Sequence, residues 1–258
     1  MTRGYPKTDM GQCGADFGRE QGDAEEAILR EACPEAATRL QNKICTALSH
    51  VSFRIASRPA KFYLASANPH KAVELQALAD AGRVPIEIVS AREVGGMPAV
   101  TEDAGTFEGN ARKKAVALRS NAPSGSWVLA DDSGLCVDAL DGRPGVESAY
   151  YAGPQCDSAA NLSKLVQALR DVPARRRGGY FVCVLFVAGP SGEELAFEGR
   201  CNGRLLDSPR GAGGFGYDPL FVPDGYESSF AELGEAVKNK VSHRARAWKK
   251  FAAWARQL

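Results

Sequence analysis

The sequence has no large excess of charge, no paired-cysteine motif and no long apolar run. The 32 Lys and Arg residues against 31 Asp and Glu give a formal net charge of +1, so the broad basic surface that duplex nucleic acid requires is missing. The seven cysteines are odd in number and contain no C-x-x-C, which argues against zinc ribbons and disulfide frameworks. We therefore expect free thiols in a reducing compartment, the cytoplasm, and no nucleic-acid partner.

A membrane segment is not expected either. No apolar stretch approaches the roughly 18 residues that a spanning helix needs, and the first twenty residues lack the apolar core of a secretion signal. The 258 residues, 44% of them hydrophobic, are enough for a sizeable core. We expect an accessory or poorly ordered N-terminal extension over residues 1–58, which carries no chemical motif, and one domain over residues 59–258.

Strands and helices alternate from Lys61 onward, with both crossover and hairpin connections. This alternation predicts an α/β protein with a mixed central sheet flanked by helices, in two lobes with an active-site cleft between them. The last helix has apolar residues at helical spacing, which indicates core or dimer packing: Trp248, Phe251, Ala252, Ala255 and Leu258. The predicted strands are 62–66, 86–89, 128–130, 136–139, 180–188 and 194–199, and the predicted helices are 69–81, 106–120, 161–170 and one from about residue 242.

Two neighbouring aspartates, Asp131 and Asp132, follow an apolar run and precede Ser133 and Gly134. We expect a turn there, which places both carboxylates at the edge of the sheet, where α/β proteins commonly bind ligands. Carboxylates together with substrate phosphates are the usual ligands of Mg²⁺.

A phosphate site is predicted where the first strand meets the first helix. Ser66 and Asn68 precede the helix and Lys71 lies one turn inside it, so a hydroxyl, an amide, backbone N–H groups and an ammonium surround a helix N-terminus. The alternative is that Asn68 only caps the helix and Lys71 is a solvated surface charge.

A second acidic position, Glu102, precedes the helix that carries Asn110 and Lys114 on one face. A carboxylate and an ammonium near one helix start are able to serve metal and phosphate together. The alternative is that Glu102 and Asp103 only complement the helix dipole.

Residues 211–216 match G-x-G-x-x-G, but the dinucleotide fingerprint requires a helix directly after the glycines. Pro219 follows instead and disfavours a helix at Asp218. We therefore expect a flexible ligand-contacting loop in which Phe215 either stacks on a base or packs in the core.

Near the C-terminus, Ser242 is a good N-cap for a helix whose first turn holds His243 and Arg244. Cations there oppose the helix dipole, which suggests a negative or carbonyl-bearing partner. A lone histidine is more often structural than catalytic, so both interpretations stay open for His243.

Taken in order, these segments resemble the inosine triphosphate pyrophosphatase family, also described as dITP/XTP pyrophosphatases. The resemblance runs from about residue 60 to the C-terminus. It rests on the segments SANPHKAVE (66–74), Glu102 with residues 106–111, ADDSGL (130–135), GGFGYDP (213–219) and SHR (242–244).

The resemblance implies Mg²⁺-dependent hydrolysis of a purine nucleoside triphosphate between its α and β phosphates, by a homodimer. Glu102 and Asp132 would hold the metal, and Asp132 would accept the proton of the attacking water or only orient that water. Lys71 and Lys114 would act on the phosphates as further catalytic residues. The residues implied in substrate binding are Ser66, Asn68, Lys71, Ser133, Phe215, Gly216, Tyr217, Asp218, Lys238, His243 and Arg244.

Base choice follows from hydrogen-bond polarity. Donors such as His243 and Arg244 facing the purine 6-position would pair with the 6-oxo group of ITP, dITP or XTP, but would meet a second donor in adenine. Two alternatives remain: a Maf-like nucleotide pyrophosphatase of different base specificity, and a non-catalytic nucleotide-binding protein.

Overall fold

The computed structural model describes residues 59–258. The expected N-terminal extension, residues 1–58, lies outside the described residues. The strands are β1 (Ala60–Ala65), β2 (Ile86–Ser90), β3 (Trp127–Val137), β4 (Gly178–Ala188), β5 (Glu194–Leu205) and β6 (Phe221–Pro223). The α-helices are α1 (Pro69–Ala81), α2 (Phe107–Arg119), α3 (Ser158–Ala168), α4 (Phe230–Leu233), α5 (Glu235–Val241) and α6 (His243–Ala255), with four short 3₁₀ helices between them.

The six strands form one mixed sheet in the order β2-β1-β3-β4-β5-β6. β1 pairs in parallel with β2 and β3, whereas β3, β4, β5 and β6 pair antiparallel. The parallel half comes from helical crossovers and the antiparallel half from hairpins, because only antiparallel neighbours can be joined by a short turn. The predicted mixed sheet flanked by helices is confirmed.

Helices cover both faces of the sheet. One face packs against α1 and α6 through Phe62, Leu129, Leu185, Trp248 and Phe251. The opposite face packs against α2 through Ala111, Ala115, Leu118, Val128 and Phe186. Since neighbouring residues of a strand point to opposite faces, Val128 and Leu129 belong to different cores.

The last helix is a core element on one side. Trp248, Phe251, Ala252 and Ala255 are buried against the sheet and α1, as core packing predicts. The helical spacing places Leu258 on the same face, but this residue lies beyond the end of α6 and is 59% exposed.

The expected turn after Asp132 is wrong. β3 continues without interruption from Trp127 to Val137, because β4 is equally long and pairs with it throughout. Gly134 is needed for another reason: a Cβ there would clash with the carbonyl oxygen of Gly145 and would lie 2.6 Å from Ser148 Oγ. This glycine permits a close approach between segments and does not form a turn.

No helix of residues 59–258 has both the length and the apolar character needed to cross a membrane. No helix opens after the glycine-rich residues 211–216 either, since turns lead from there into β6, as predicted.

Candidate active site

A cavity of about 590 Å³ opens where β1 stops and β3 continues. β1 ends at Ala65, paired with Ala130, so beyond this point the described part of β3 pairs with β4 and, on its other side, only through an isolated bridge between Cys136 and Pro144. The free edge and the loop after β1 form one wall of the cavity. The sequence-predicted residues that line it are Ser66, Asn68, Lys71, Glu102, Lys114, Ser133, Phe215, Gly216, Tyr217, Asp218, Lys238, His243 and Arg244.

The neighbouring aspartates of β3 point to opposite faces of the sheet. Asp131 lies on the face of α1 and α6, where it contacts Lys71 and Arg244. Asp132 lies on the face of α2, where it contacts Lys114. The alternation of a strand therefore gives two adjacent carboxylates two separate sets of partners.

Asp131 is fully buried and holds two cations. Its carboxylate lies 2.5 Å from Lys71 Nζ and accepts a hydrogen bond from Arg244 Nε at 2.6 Å. Its backbone carbonyl, on the free edge of β3, also accepts from Lys71 Nζ at 3.0 Å. Burial opposes the charged form, but Arg244 and Lys71 together hold the pKa of Asp131 well below its usual range.

Arg244 is 1% exposed and has a partner on each side of its guanidinium. Nε contacts Asp131, Nη1 donates to Glu74 Oε2 at 2.7 Å, and Nη2 donates to Ser133 Oγ at 3.1 Å. The sequence suggests a negative or carbonyl-bearing partner for this residue, and in the structure the carboxylates of Asp131 and Glu74 are such partners.

Asp132 and Glu102 share one ammonium. Lys114 Nζ lies 2.5 Å from Asp132 Oδ1 and 2.8 Å from Glu102 Oε2, so a strand, a helix and the loop before that helix meet at this point. Asp132 Oδ2 is buried and has no hydrogen-bond partner among residues 59–258. Burial raises the pKa of Asp132 to about 6, although Lys114 opposes the shift. Burial would lower the pKa of Lys114, but the two carboxylates outweigh it and raise that pKa.

The loop between β1 and α1 has the geometry of a helix cap. Asn68 Oδ1 accepts from the backbone N–H of His70 at 3.0 Å, and Ser66 Oγ accepts from the backbone N–H of Asn68 at 3.1 Å. Asn68 thus caps α1 while also lining the cavity, so the capping and the cavity-lining interpretations hold together.

The glycine-rich loop is held by Asp218. Its Oδ2 accepts from the backbone N–H of Phe215 at 2.8 Å and from Lys238 Nζ at 2.7 Å. A Cβ on Gly214 would clash with the same oxygen, so this position requires glycine. Burial raises the pKa of Asp218 against the influence of Lys238.

Aromatic rings line the cavity beside its charged groups. Phe215 is half-buried, with Lys238 Nζ 4.1 Å above its ring and His70 stacked on it at 5.7 Å between centroids. Tyr217 is buried, and its hydroxyl donates to the carbonyl oxygen of Ser148 at 2.9 Å. Phe215 therefore faces the cavity, whereas Tyr217 mainly supports the loop.

His243 is a neutral group at the floor of the cavity. It is 5% exposed and stacks on Phe181 with 4.7 Å between centroids. Burial, with Arg244 and Lys238 nearby, holds its pKa well below the usual value. Its Nδ1 is buried without a hydrogen-bond partner among the described residues.

Every cation of the site is already paired. Four cations, Lys71, Lys114, Lys238 and Arg244, face five carboxylates, namely Glu74, Glu102, Asp131, Asp132 and Asp218. The lysines in the sequence predict an accumulation of positive charge. The structure instead has one more carboxylate than cations, which favours the binding of an added cation together with a polyanion.

Two side chains of the site have no role predicted from the sequence. Glu74 lies one helical turn from Lys71 on α1, a spacing that points to the shared face. Asn110 is fully buried and accepts from the backbone N–H of Ala104, which holds the loop that carries Glu102. Asp131 stands out in the sequence beside Asp132, but its task as the partner of Lys71 and Arg244 depends on contacts between distant segments.

The donor set at Glu102 and Asp132 fits a hard divalent cation. Residues 59–258 contain no group of three or more His, Cys, Asp or Glu side chains placed to hold a metal by themselves. Mg²⁺ commonly uses one or two carboxylates and completes its coordination with water and substrate phosphates. Two carboxylates around one ammonium, with a buried oxygen lacking a partner, meet that requirement.

A cavity lined by charged side chains and aromatic rings, beside the end of a parallel strand, defines an α/β protein whose site suits an anionic ligand with a flat ring. Comparison with known proteins narrows this class. The model of the Ham1 family matches residues 62–254, and the chain belongs to that family.

Similar proteins carry a consistent name. A dITP/XTP pyrophosphatase of Opitutus terrae is 63% identical over 201 residues, which are 76% of this chain and 99% of that protein. One of Caulobacter vibrioides is 46% identical over 194 residues, 75% of this chain and 97% of that protein. The solved structure of the Staphylococcus aureus Ham1 protein is 33% identical with a TM-score of 0.66, covering 75% of this chain and 97% of that one.

Proposed function

We propose that this protein hydrolyses non-standard purine nucleoside triphosphates, ITP, dITP and XTP, to the monophosphate and pyrophosphate. The observation that carries the proposal is the meeting of Glu102 and Asp132 at Lys114, because Glu102 and Lys114 line a cavity that aromatic rings also line. The names of relatives matched over nearly their whole length support the substrate class. Membership of the Ham1 family favours this function over a Maf-like enzyme.

Different residues of the site would contact different parts of the substrate. Ser66, Asn68 and the N-terminus of α1 face the phosphates with hydroxyl, amide and backbone groups, and Lys71 adds an ammonium. Phe215 lines the cavity with an aromatic ring that would contact the base, and His243, whose Nδ1 has no internal partner among the described residues, would supply a polar contact. Since all three nitrogens of Arg244 have internal partners, we assign Arg244 to the support of Ser133 and the cavity floor and shift base recognition toward His243.

Glu102 and Asp132 would hold Mg²⁺, which when bound would supply positive charge where negative charge develops on the phosphates. Asp132 also has an oxygen without a partner among the described residues, so it would accept a proton from water or orient it. Lys114, released from the carboxylates, would contact the phosphates. The buried walls exclude bulk water and strengthen each of these interactions.

The test is the release of pyrophosphate by the purified protein with Mg²⁺, measured for ITP, dITP, XTP, GTP and ATP. We expect turnover of ITP, dITP and XTP, and a loss of at least about a hundredfold in kcat for Asp132→Asn. Equal turnover of ATP and ITP would contradict the substrate class, and an active Asp132→Asn would contradict the role of that carboxylate. Binding of ITP without any release of pyrophosphate would favour a nucleotide-binding protein instead.

We also propose a homodimer located in the cytoplasm. The four described cysteines, Cys136, Cys156, Cys183 and Cys201, are free thiols, which supports a reducing compartment. Sedimentation velocity checks the assembly, and a monomer at micromolar concentration would contradict it.

A further inference from the structure

We propose that Lys114 is a resident counter-ion for Glu102 and Asp132, which the metal ion and the substrate triphosphate displace together. In this exchange the metal takes over the two carboxylates, and Lys114 turns to the phosphates. The inference rests on the proposed function, because it takes this carboxylate pair as the metal-binding group. It adds a coupling between metal binding and triphosphate binding that the function alone does not contain.

The geometry places Lys114 on the same carboxylates that fit the metal. Its Nζ contacts Asp132 Oδ1 and Glu102 Oε2, and within residues 59–258 these two oxygens are its only ionic partners. Its side chain is 13% exposed, so water compensates little for a lost partner. A divalent cation that approaches this pair alone therefore competes with a fixed internal ammonium.

Asp132, Glu102 and Lys114 belong to three separate elements, so the metal can replace Lys114 after small movements of side chains. Asp132 is fixed in the middle of β3, with pairing to Val184 on β4. Glu102 lies in a loop, which Asn110 anchors at Ala104 rather than at Glu102 itself. Lys114 reaches from the third turn of α2 through a flexible stem, which can swing without shifting the helix.

The arrangement predicts positive coupling between metal and triphosphate. Metal alone must leave Lys114 buried without a carboxylate, and triphosphate alone meets a lysine that is already neutralised. When both are present, each cation gains an anionic partner, so each ligand raises the affinity for the other by the same factor. The free protein is thereby kept from holding metal in the absence of its substrate.

The experiment measures Mn²⁺ binding to the full-length protein without nucleotide, by the loss of the free-ion EPR signal, with Mg²⁺ as competitor. Lys114→Met removes the charge and keeps most of the volume, so we expect Mn²⁺ affinity to rise about tenfold or more over wild type. Lys114→Arg keeps a competing cation and should leave the affinity close to wild type. Unchanged or lower affinity in Lys114→Met would overturn the proposal.

Two controls locate the effect. Lys113→Met removes the same charge one residue away, from an exposed pair with Asp103, and should change the affinity by no more than about twofold. Glu102→Gln in the Lys114→Met background should abolish the gain. A gain in Lys113→Met, or one that survives Glu102→Gln, would mean that the metal responds to general charge or binds elsewhere.

A wild-type measurement keeps the test decisive if Lys114→Met does not fold. Acetylation of Lys114 is followed by mass spectrometry, with Lys113 as internal reference, and saturating Mg²⁺ should increase the relative rate at Lys114 several-fold as its carboxylates are taken. An unchanged ratio would overturn the proposal. Since neither measurement uses nucleotide turnover, failure here remains distinct from a failure to release pyrophosphate from ITP.

Discussion

At the scale of single residues, the neighbouring Asp131 and Asp132 of β3 have different roles: Asp131 supports the structure, and we propose Asp132 for the chemistry. Asp131 pairs with two buried cations, and Asp132 contacts Lys114 on the opposite face of the sheet and keeps one oxygen without a partner among residues 59–258. We expect Asp131→Asn to destabilise the fold by about 3 kcal/mol, because Lys71 and Arg244 lose a buried partner. Asp132→Asn should lower the free energy of unfolding by less than about 1 kcal/mol. Burial already disfavours the charged form of this carboxylate, so its removal costs little.

Urea unfolding of both variants checks this contrast, followed by a probe of tertiary structure. The expected order is a clearly lower midpoint for Asp131→Asn and a midpoint near wild type for Asp132→Asn. The reverse order would show that Asp132, rather than Asp131, is the structural aspartate.

His243 gives a pH dependence of stability with a definite sign. Because its pKa in the folded state lies well below the usual value, the unfolded chain binds a proton more readily. Its contribution is therefore fully present above about pH 6.5 and is lost as the pH falls below that value, by at most about 1.4 kcal/mol per pH unit.

The free energy of unfolding, measured from about pH 5 to 7.5, tests this expectation. His243→Gln should have a shallower loss of stability in acid than wild type, whereas replacement of the exposed His70 by Gln should leave the slope unchanged. Parallel curves for wild type and His243→Gln would contradict a depressed pKa at this position.

At the scale of elements, Gly134 keeps β3 close to the turn that follows it. A methyl group there would press on Gly145, Ser148 and the ring of Phe107, so we expect Gly134→Ala to lower stability by about 2 kcal/mol through overpacking. Gly82→Ala is the control, because the nearest neighbours of a Cβ at that position would be 3.1 Å or more away. Thermal unfolding distinguishes the two, and equal melting temperatures would show that the neighbours of Gly134 move aside.

Elements with a local signal follow the sequence closely. Pro69 at the first turn and Asn68 before it fix the start of α1, and Ser242 fixes the start of α6. The end of β3 differs from the prediction, because Ser133 and Gly134 have the composition of a turn. Whether they continue a strand depends on β4, whose pairing lies about fifty residues further along the chain.

In the site, too, features with a local sequence signal can be predicted, and contacts between distant segments cannot. Residues of well-defined helices, such as Lys71 in the first turn of α1 and Lys114 on the face of α2 that carries Asn110, can be placed from spacing alone. The partners of Arg244 cannot, because Glu74 and Asp131 reach it only after three separate segments have packed. The sequence therefore indicates which groups belong to the site, and not which partners they contact or how completely they neutralise one another.

At the scale of the whole molecule, activity should reside in residues 59–258. The family match begins at residue 62, and the relative from Opitutus terrae is matched over 99% of its own length by 201 residues of this chain. Every assigned site residue lies between Ser66 and Arg244. A chain of residues 59–258 should therefore keep kcat/KM for ITP within about twofold of full length.

The comparison needs both chains at equal concentration, with sedimentation velocity on each, because a change of assembly alters activity for a separate reason. Lower kcat/KM with unchanged assembly would show that residues 1–58 contact the substrate or the site. Lower activity together with dissociation would assign those residues to the subunit interface. Retained activity and assembly would leave them outside catalysis, which is the result that the position of the cavity, contained within residues 59–258, leads us to expect.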